Sequence, residues 1–202
     1  MSLAKRYIFG IMVTGYLFLF AIVVLNYVID PFEAAGSGFI KPVQHLINLP
    51  IVKTRALDAN HGSFNGYIMG SSRSNEIEPH IVESYVPDSN FFNLSFNKAS
   101  VAAQLRILNY MMNQRHPINH LLIQLDIPDG PYEKQVDVRD PLAPMLMLPP
   151  YLYPHEPRYY LSFIKVFYLN LRLDKLLEKF ALRNIAGPEI YFGTTGVANW
   201  VK

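Results

Sequence analysis

The chain has 202 residues, contains no cysteine and carries a formal net charge of +2. Without cysteine, disulfide bonds and thiolate metal sites are excluded. The small net charge argues against a nucleic-acid partner, because such domains usually present a strongly basic surface. The six histidines are scattered along the chain, and there is no Gly-rich phosphate loop, so we expect neither a metal site nor a cofactor.

Residues 7–29, YIFGIMVTGYLFLFAIVVLNYVI, form one apolar run with Thr14 and Asn26 as its only clearly polar side chains. A helix of roughly 20 such residues crosses a bilayer core of about 30 Å. The run is longer than a signal-peptide core and has no Ala-x-Ala site after it, which favours an uncleaved anchor over residues 1–29. Lys5 and Arg6 precede it, so we expect a single-pass protein of the bacterial inner membrane with a cytoplasmic N-terminus and a periplasmic soluble domain.

Residues 30–65 contain many glycines and prolines, and they predict an extended juxtamembrane connector. An α/β domain is expected over residues 66–202. Its strands are three short apolar runs, 67–69, 90–94 and 120–125, separated by helical patterns. This order favours parallel strands joined by right-handed crossovers, and the nearly continuous apolar runs indicate burial on both faces of the sheet.

Two of the intervening helices have readable starts. Pro79 is favoured at a first helical position and predicts a short helix reaching Tyr85. Ser100 is a plausible N-cap for a helix over residues 100–115. The 4, 3, 4 spacing on that helix predicts a core-facing stripe made of Val101, Leu105, Leu108 and Met112.

The C-terminal third is less regular. Six prolines in residues 141–160 predict an irregular insertion, and residues 161–184 read as one amphipathic helix. Its apolar side either packs on the core or rests on the membrane surface or a partner; the residues are Ile164, Phe167, Leu171, Leu177 and Phe180. Three strands are few for a parallel sheet, so we expect the domain to be incomplete.

Polar residues follow each predicted strand. Gly70, Ser71 and Ser72 follow the first strand, Asn93 and Ser95 the second, and Asp126 and Asp129 the third. The carboxyl ends of parallel strands meet at one edge of a sheet, where open α/β sheets bind their ligands. Glycine at position 70 is expected to allow the tight turn that presents a serine there.

This order of motifs resembles the SGNH (GDSL-like) hydrolase superfamily, in its membrane-anchored bacterial branch of O-acetyltransferase-like envelope proteins. The similarity covers roughly residues 27–130 and is carried by YVIDPF, IMGSSRS, FFNLSFNKAS and HLLIQLDI. The resemblance implies a partial flavodoxin-like, three-layer α/β domain that acts on envelope polysaccharide. It places Ser72 at the nucleophile position.

Three positions depart from the family pattern. Lys98 stands where the family has a glycine whose N–H lines the oxyanion hole, and Pro128 stands near the asparagine that supplies the second donor. The family's late Asp-x-x-His block has no counterpart. The only such sequence is Asp58-Ala-Asn-His61, ahead of the serine, and we interpret it as coincidence. A serine without a base is a poor nucleophile.

Two functions follow from these residues. The first is binding by a degenerate acyltransferase-like domain, with a glycan, an acylated carrier or a membrane-complex protein as partner besides the lipid bilayer. The alternative is an active O-acyltransferase or esterase, with Ser72 as nucleophile and its base supplied from elsewhere. Asp126 is a weaker catalytic candidate, and His155 is interpreted as a surface residue. The expected binding residues are Ser71, Arg73, Asn93, Ser95 and Lys98.

Overall fold

A computed structural model describes residues 3–37, 39, 47–125 and 143–182. The first element is a single helix, α1, Leu3–Ile29. It is long and apolar enough to cross a membrane, and only 6% of its most apolar window is buried within the protein. The predicted N-terminal helix is therefore confirmed, while its membrane placement and orientation stay predictions.

The residues just after α1 fold into a tight turn. The Asp30 carboxylate accepts hydrogen bonds from the backbone N–H groups of Ala35, Gly36 and Ser37, at 3.2, 2.6 and 3.3 Å. Asp30 itself has a φ of 42°, a left-handed conformation that a short acidic side chain tolerates by such local bonding. Residues 30–37 are called the juxtamembrane turn below.

A second helix, α2, Leu49–Ala59, lies in the stretch predicted to be an extended connector, so that prediction is wrong over 49–59. Asn48 caps it, because its Oδ1 accepts from the Ile51 N–H at 2.8 Å. Ile51 and Leu57 are buried in the same core as the sheet. Burial of this apolar face stabilises a helix that glycine and proline counts alone did not reveal.

The sheet consists of β1, Gly66–Met69, β2, Phe91–Asn93, and β3, His120–Ile123. All pairs are parallel, in the order β2-β1-β3, with Ile68 opposite Asn93 on one side and Leu122 on the other. The α/β class and all three predicted strands are confirmed.

Burial differs sharply across the sheet. Every residue of the central strand β1 is buried, as expected for a strand covered on both faces. On the edge strand β3 this expectation is wrong, because Leu121, Leu122 and Ile123 are 37%, 42% and 41% exposed. These three side chains point to alternating faces of the sheet. Both faces of β3 are therefore only partly covered by the described residues.

The helix starts were predicted more accurately than the helix faces. Helix α3, Pro79–Glu83, begins at the expected proline, and α4, Val101–Asn113, is capped by Ser100, whose Oγ accepts from the Ala103 N–H at 3.1 Å. The predicted core stripe on α4 is wrong, since three of its four residues are exposed: Val101, Leu105 and Met112. The buried residues of α4 are Ala103, Gln104, Ile107 and Met111.

The C-terminal third is helical but interrupted. It contains α5, Ala143–Leu146, a 3₁₀ turn, Pro150–Leu152, α6, Pro157–Ile164, a π-helical turn, Lys165–Leu169, and α7, Leu173–Leu182. The prediction of one helix over 161–184 is wrong because residues 170–172 are not helical and separate two helical stretches. The predicted single apolar side does not form either, since Phe167 is buried while Ile164 and Leu177 are exposed.

The break in that helix lies against α1. The Asn26 amide donates to the backbone oxygens of Tyr168 and Asn170, at 2.9 and 3.4 Å. These carbonyls belong to the frayed end of the π-helical turn, where helical partners are missing. A polar residue in the apolar helix thus satisfies the end of another helix and joins the two elements.

Candidate functional site

Ser72 lies in the turn that leaves the carboxyl end of the central strand. The chain passes from β1 through Gly70 into a short 3₁₀ turn, Ser74–Glu76. Ser72 is exposed, whereas Ser71 is buried, and the Ser71 carbonyl accepts from the Asn75 N–H at 3.2 Å. No hydrogen bond reaches the Ser72 hydroxyl from any residue that the structure describes. The hydroxyl is presented to solvent at the edge where ligands bind in such sheets.

Glycine is needed at position 70 for space rather than for backbone conformation. Its φ lies outside the left-handed region, so the expected reason for this glycine is wrong. A Cβ atom here would collide with Ser74 Oγ and lie 2.9 Å from Gln124 Cβ. Only a residue without a side chain lets the 70–77 loop pass this close to the chain leaving β3.

Asn93 fixes the 70–77 loop over the end of β2. Its amide nitrogen donates to the carbonyls of Ser74 and Ile77, both at 2.8 Å, and its Oδ1 accepts from the Ser95 N–H at 2.9 Å. The side chain is completely buried. Its hydrogen-bonding groups are used within the protein, so Asn93 contributes by holding the loop that carries Ser72.

Two further predicted residues differ in exposure. Ser95 is fully buried, and its hydroxyl lies 3.4 Å from the Ile68 carbonyl. Lys98 is exposed, with a φ of 56°. The left-handed conformation at Lys98 is the one that favours glycine. The lysine therefore places a cation on a backbone turn shaped like a glycine turn.

Lys53, from α2, lies under this loop. Its Nζ donates to Asn75 Oδ1 at 2.7 Å and to the Ser95 carbonyl at 2.6 Å, and the residue is 1% exposed. Burial lowers the pKa of Lys53 to about 7, and the charge of Glu76 opposes this only in part. An amine that titrates near neutral pH thus ties the loops after β1 and β2 together.

Lys53 was not among the residues singled out from the sequence, although a signal for it was present. Pro50, Lys53, Thr54 and Leu57 follow the i, i+3, i+4, i+7 spacing of a buried helix face, and all four are buried. A lysine on such a face needs polar partners in the core. The expectation of an extended connector concealed this pattern.

The structure brings the predicted residues after β1 and β2 to one edge, as expected. Arg73 is exposed there and makes an interaction of its own. Asp126, Pro128 and Asp129 lie outside the described residues, so the predicted contribution of the third strand stays a prediction.

A second polar cluster, built on the Asp-x-x-His sequence, lies at the opposite, amino edge of the sheet. The Asp58 carboxylate accepts from the Tyr110 hydroxyl at 2.9 Å and lies 3.7 Å from His116 Nε2, and the rings of His61 and His116 are 4.3 Å apart. Tyr151 also bonds to Asp58. The Asp58 cluster lies beside the N-terminal end of β1, whereas the 70–77 loop with Ser72 lies at the C-terminal end of that strand.

His116 is the buried member of the Asp58 cluster. Its side chain is 1% exposed, and neither ring nitrogen has a hydrogen bond in the described part of the protein. Burial, together with the neighbouring His61, lowers the pKa of His116, while Asp58 opposes this shift. Across the described ranges, no three acidic or histidine side chains are placed to hold a metal ion.

Comparisons of the chain with family models, with curated proteins and with solved structures give no match. The fold therefore defines the class of the protein, which is an α/β protein with a small parallel sheet and one long apolar N-terminal helix.

Proposed function

We propose that this chain is a membrane-anchored, SGNH-like protein of the bacterial envelope whose carboxyl-edge loop binds a glycan or an acylated carrier during polysaccharide modification or export. The observation that carries the proposal is the Ser72 loop: an exposed serine at the carboxyl end of the central strand, fixed from below by Asn93 and Lys53. Such a rigid polar edge is suited to recognising hydroxyl-rich ligands.

The strand order supports the fold part of this proposal. The order β2-β1-β3 equals the first three positions of the flavodoxin-like order 2-1-3-4-5, in which ligands bind where the strand order reverses. In this chain both neighbours of β1 come later in sequence, and Ser72 follows β1 directly. The residues on which the resemblance to the SGNH superfamily rests include Ser72 and Asn93, at the ends of β1 and β2.

The surroundings of Ser72 favour binding over catalysis. An attacking serine needs a base within about 2.6–3.2 Å of its hydroxyl. Within the described ranges the Ser72 hydroxyl contacts no such group, and the Asp-x-x-His sequence lies at the other edge. Recognition of a glycan needs no such base, and Ser72 and Lys98 offer it an exposed hydroxyl and an exposed cation.

Binding is tested by titrating the full chain, held in nanodiscs, with a partially O-acetylated oligosaccharide and with its de-acetylated form. Ser72→Trp places a large ring over the loop, so we expect affinity for the preferred form to fall at least about tenfold. Ser84→Trp is the matched control, because Ser84 is an exposed serine beyond α3. Equal binding by wild type and Ser72→Trp would contradict the proposed site, as would no saturable binding to wild type.

One observation favours the alternative, an active O-acyltransferase or esterase. Lys53 combines burial with a pKa of about 7, the value expected of a general base near neutral pH. It contacts Asn75, which lies in the 70–77 loop with Ser72, and the Ser95 carbonyl, which follows β2. Rearrangement of that loop on ligand binding would be required to bring the amine and the hydroxyl together.

A fluorophosphonate probe separates the two functions. Covalent labelling of wild type that disappears in both Ser72→Ala and Lys53→Met would establish the catalytic alternative. The binding function predicts no labelling above the Ser72→Ala background, together with oligosaccharide binding that Lys53→Met leaves within a few-fold of wild type if the loop stays folded.

A further inference from the structure

The helical segment from α6 to α7 is apolar on two sides. Its inner side contributes buried residues to the core, namely Tyr159, Phe163, Val166, Phe167 and Leu176. Its outer side is exposed and also apolar, with Tyr160, Leu161, Ile164, Leu169, Leu173 and Leu177 between 38% and 67% exposed. A helix that faces only water normally carries polar residues on its outer side. These six exposed residues are called the outer apolar face below.

The outer apolar face is held beside the end of α1. Asn26 bonds to the backbone between α6 and α7, at Tyr168 and Asn170. The Phe32 and Phe167 rings pack edge to face at 6.0 Å. Lys179 of α7 donates to the backbone oxygen of Asp30 and, at 2.7 Å, to Glu33 Oε1. Contacts to Asn26 of α1 and to the juxtamembrane turn fix the segment at this end of the domain.

The length of α1 places this junction near the surface of a bilayer. The apolar run begins at Tyr7, directly after Lys5 and Arg6, and roughly 20 residues at about 1.5 Å each span a core of about 30 Å. Counting from Tyr7, that length ends at Asn26. The carbonyls that Asn26 binds, and Leu169 between them, then lie at the boundary between acyl chains and headgroups.

We propose that the outer apolar face rests in the headgroup–acyl boundary of the bilayer leaflet that surrounds the C-terminal end of α1. This inference rests on the membrane anchorage in the proposed function. Helix α1 is itself exposed along most of its length, and the exposed cations Arg158 and Lys165 lie on the α6–α7 segment, suited to lipid phosphates. Helices α6 and α7 act as a platform that fixes the height and tilt of the domain on the membrane.

The absence of cysteine from the chain allows a direct test. Single cysteines at Leu173 and Leu177 are spin-labelled in the full chain, in nanodiscs of phosphatidylethanolamine and phosphatidylglycerol. Collisions with oxygen, which concentrates in lipid, are compared with collisions with a water-soluble nickel chelate. We expect both labels to favour oxygen over the chelate by several-fold relative to a label at Tyr85, which is 82% exposed and follows α3.

A label at Leu17, exposed on α1, separates this inference from the anchorage itself. If the Leu17 label favours oxygen while labels at Leu173 and Leu177 behave like Tyr85, the platform is overturned and the anchor stands. If the Leu17 label is as accessible to the chelate as Tyr85, the anchorage fails and the platform with it. Shielding of Leu173 and Leu177 from both reagents would indicate contact with protein, a second copy, and would also overturn the lipid contact.

Discussion

At the scale of single residues, Lys53 is the side chain whose position has the most measurable consequence. Its pKa is about 7 in the folded protein, while a free lysine has a pKa near 10.5. Between these values the unfolded chain binds more protons than the folded one, so the free energy of unfolding rises with pH across this window. The increase is at most about 1.4 kcal/mol per pH unit.

We therefore expect the midpoint of thermal unfolding of the wild type, relative to that of Lys53→Met in detergent, to rise between pH 7 and 10. Lys98→Met is the matched control, because Lys98 is exposed and its removal should leave the pH profile unchanged. A difference between wild type and Lys53→Met that is independent of pH would show that Lys53 stays charged in the folded state.

The serine loop shows how far single residues could be predicted. The sequence pointed to Gly70 and Ser72, because a glycine after an apolar run is a short-range signal. It missed the reason for Gly70, since the collision with Ser74 and Gln124 depends on how two distant strands are placed. Asn93 was expected to bind ligand, whereas the structure commits its amide to the loop. Such roles follow from tertiary contacts that no local pattern contains.

At the scale of elements, the junction between α7 and the juxtamembrane turn makes a prediction about stability. Lys179 is fully buried, and the Glu33 side chain is 11% exposed. Burial raises the pKa of Glu33, and Lys179 opposes that shift. Lys179→Met leaves a buried carboxylate without its partner, so we expect the free energy of unfolding to fall by about 3–5 kcal/mol at neutral pH.

The double variant Lys179→Met/Glu33→Gln is the control for that loss. It removes the unpaired charge, so it should recover a substantial part of the stability. The loss in the single variant should also shrink as pH falls, because Glu33 then takes up a proton in the folded state. A single variant no less stable than the double variant at neutral pH would contradict a buried, charged pair.

Elements with strong local signals were predicted well, and those decided by packing were not. The helix starts and the strands depend on a few adjacent residues, and they were predicted correctly at Pro79, Ser100 and β1. Helix α4 has apolar residues on two neighbouring faces, so spacing alone could not tell that Ile107, rather than Leu108, faces the core most fully. The break between α6 and α7 is hydrogen-bonded to Asn26, which lies more than 140 positions away in the chain.

At the scale of the whole molecule, α2 links the proposed anchor to the proposed site. Lys53 and Arg55 are two positions apart, so they point to nearly opposite sides of this helix. Lys53 holds the loops of the carboxyl edge, while Arg55 donates to the carbonyls of Glu33 and Ala34, at 3.2 and 2.9 Å. The floor of the site thus lies about one helix diameter, roughly 10 Å, from the juxtamembrane turn.

This arrangement gives a physical reason for the proposed anchor. A site held one helix thickness from the juxtamembrane turn is within reach of ligands attached to, or emerging from, the membrane. Helix α2 contacts both the loops of the carboxyl edge and the juxtamembrane turn. Ligand binding at the carboxyl edge should therefore order the N-terminal half of α2. The Asp58 cluster at the amino edge should be unaffected, since it lies at the other end of α2.

The central claim, that ligand binds at the carboxyl edge beside Ser72, is tested most directly by hydrogen–deuterium exchange of the full chain in nanodiscs, with and without the partially O-acetylated oligosaccharide. The account predicts slower exchange in peptides covering residues 70–77 and 94–99, with weaker protection around Lys53 and none over 114–118. Protection confined to residues 58–61 and 114–118, or no protection at saturating oligosaccharide, would contradict it.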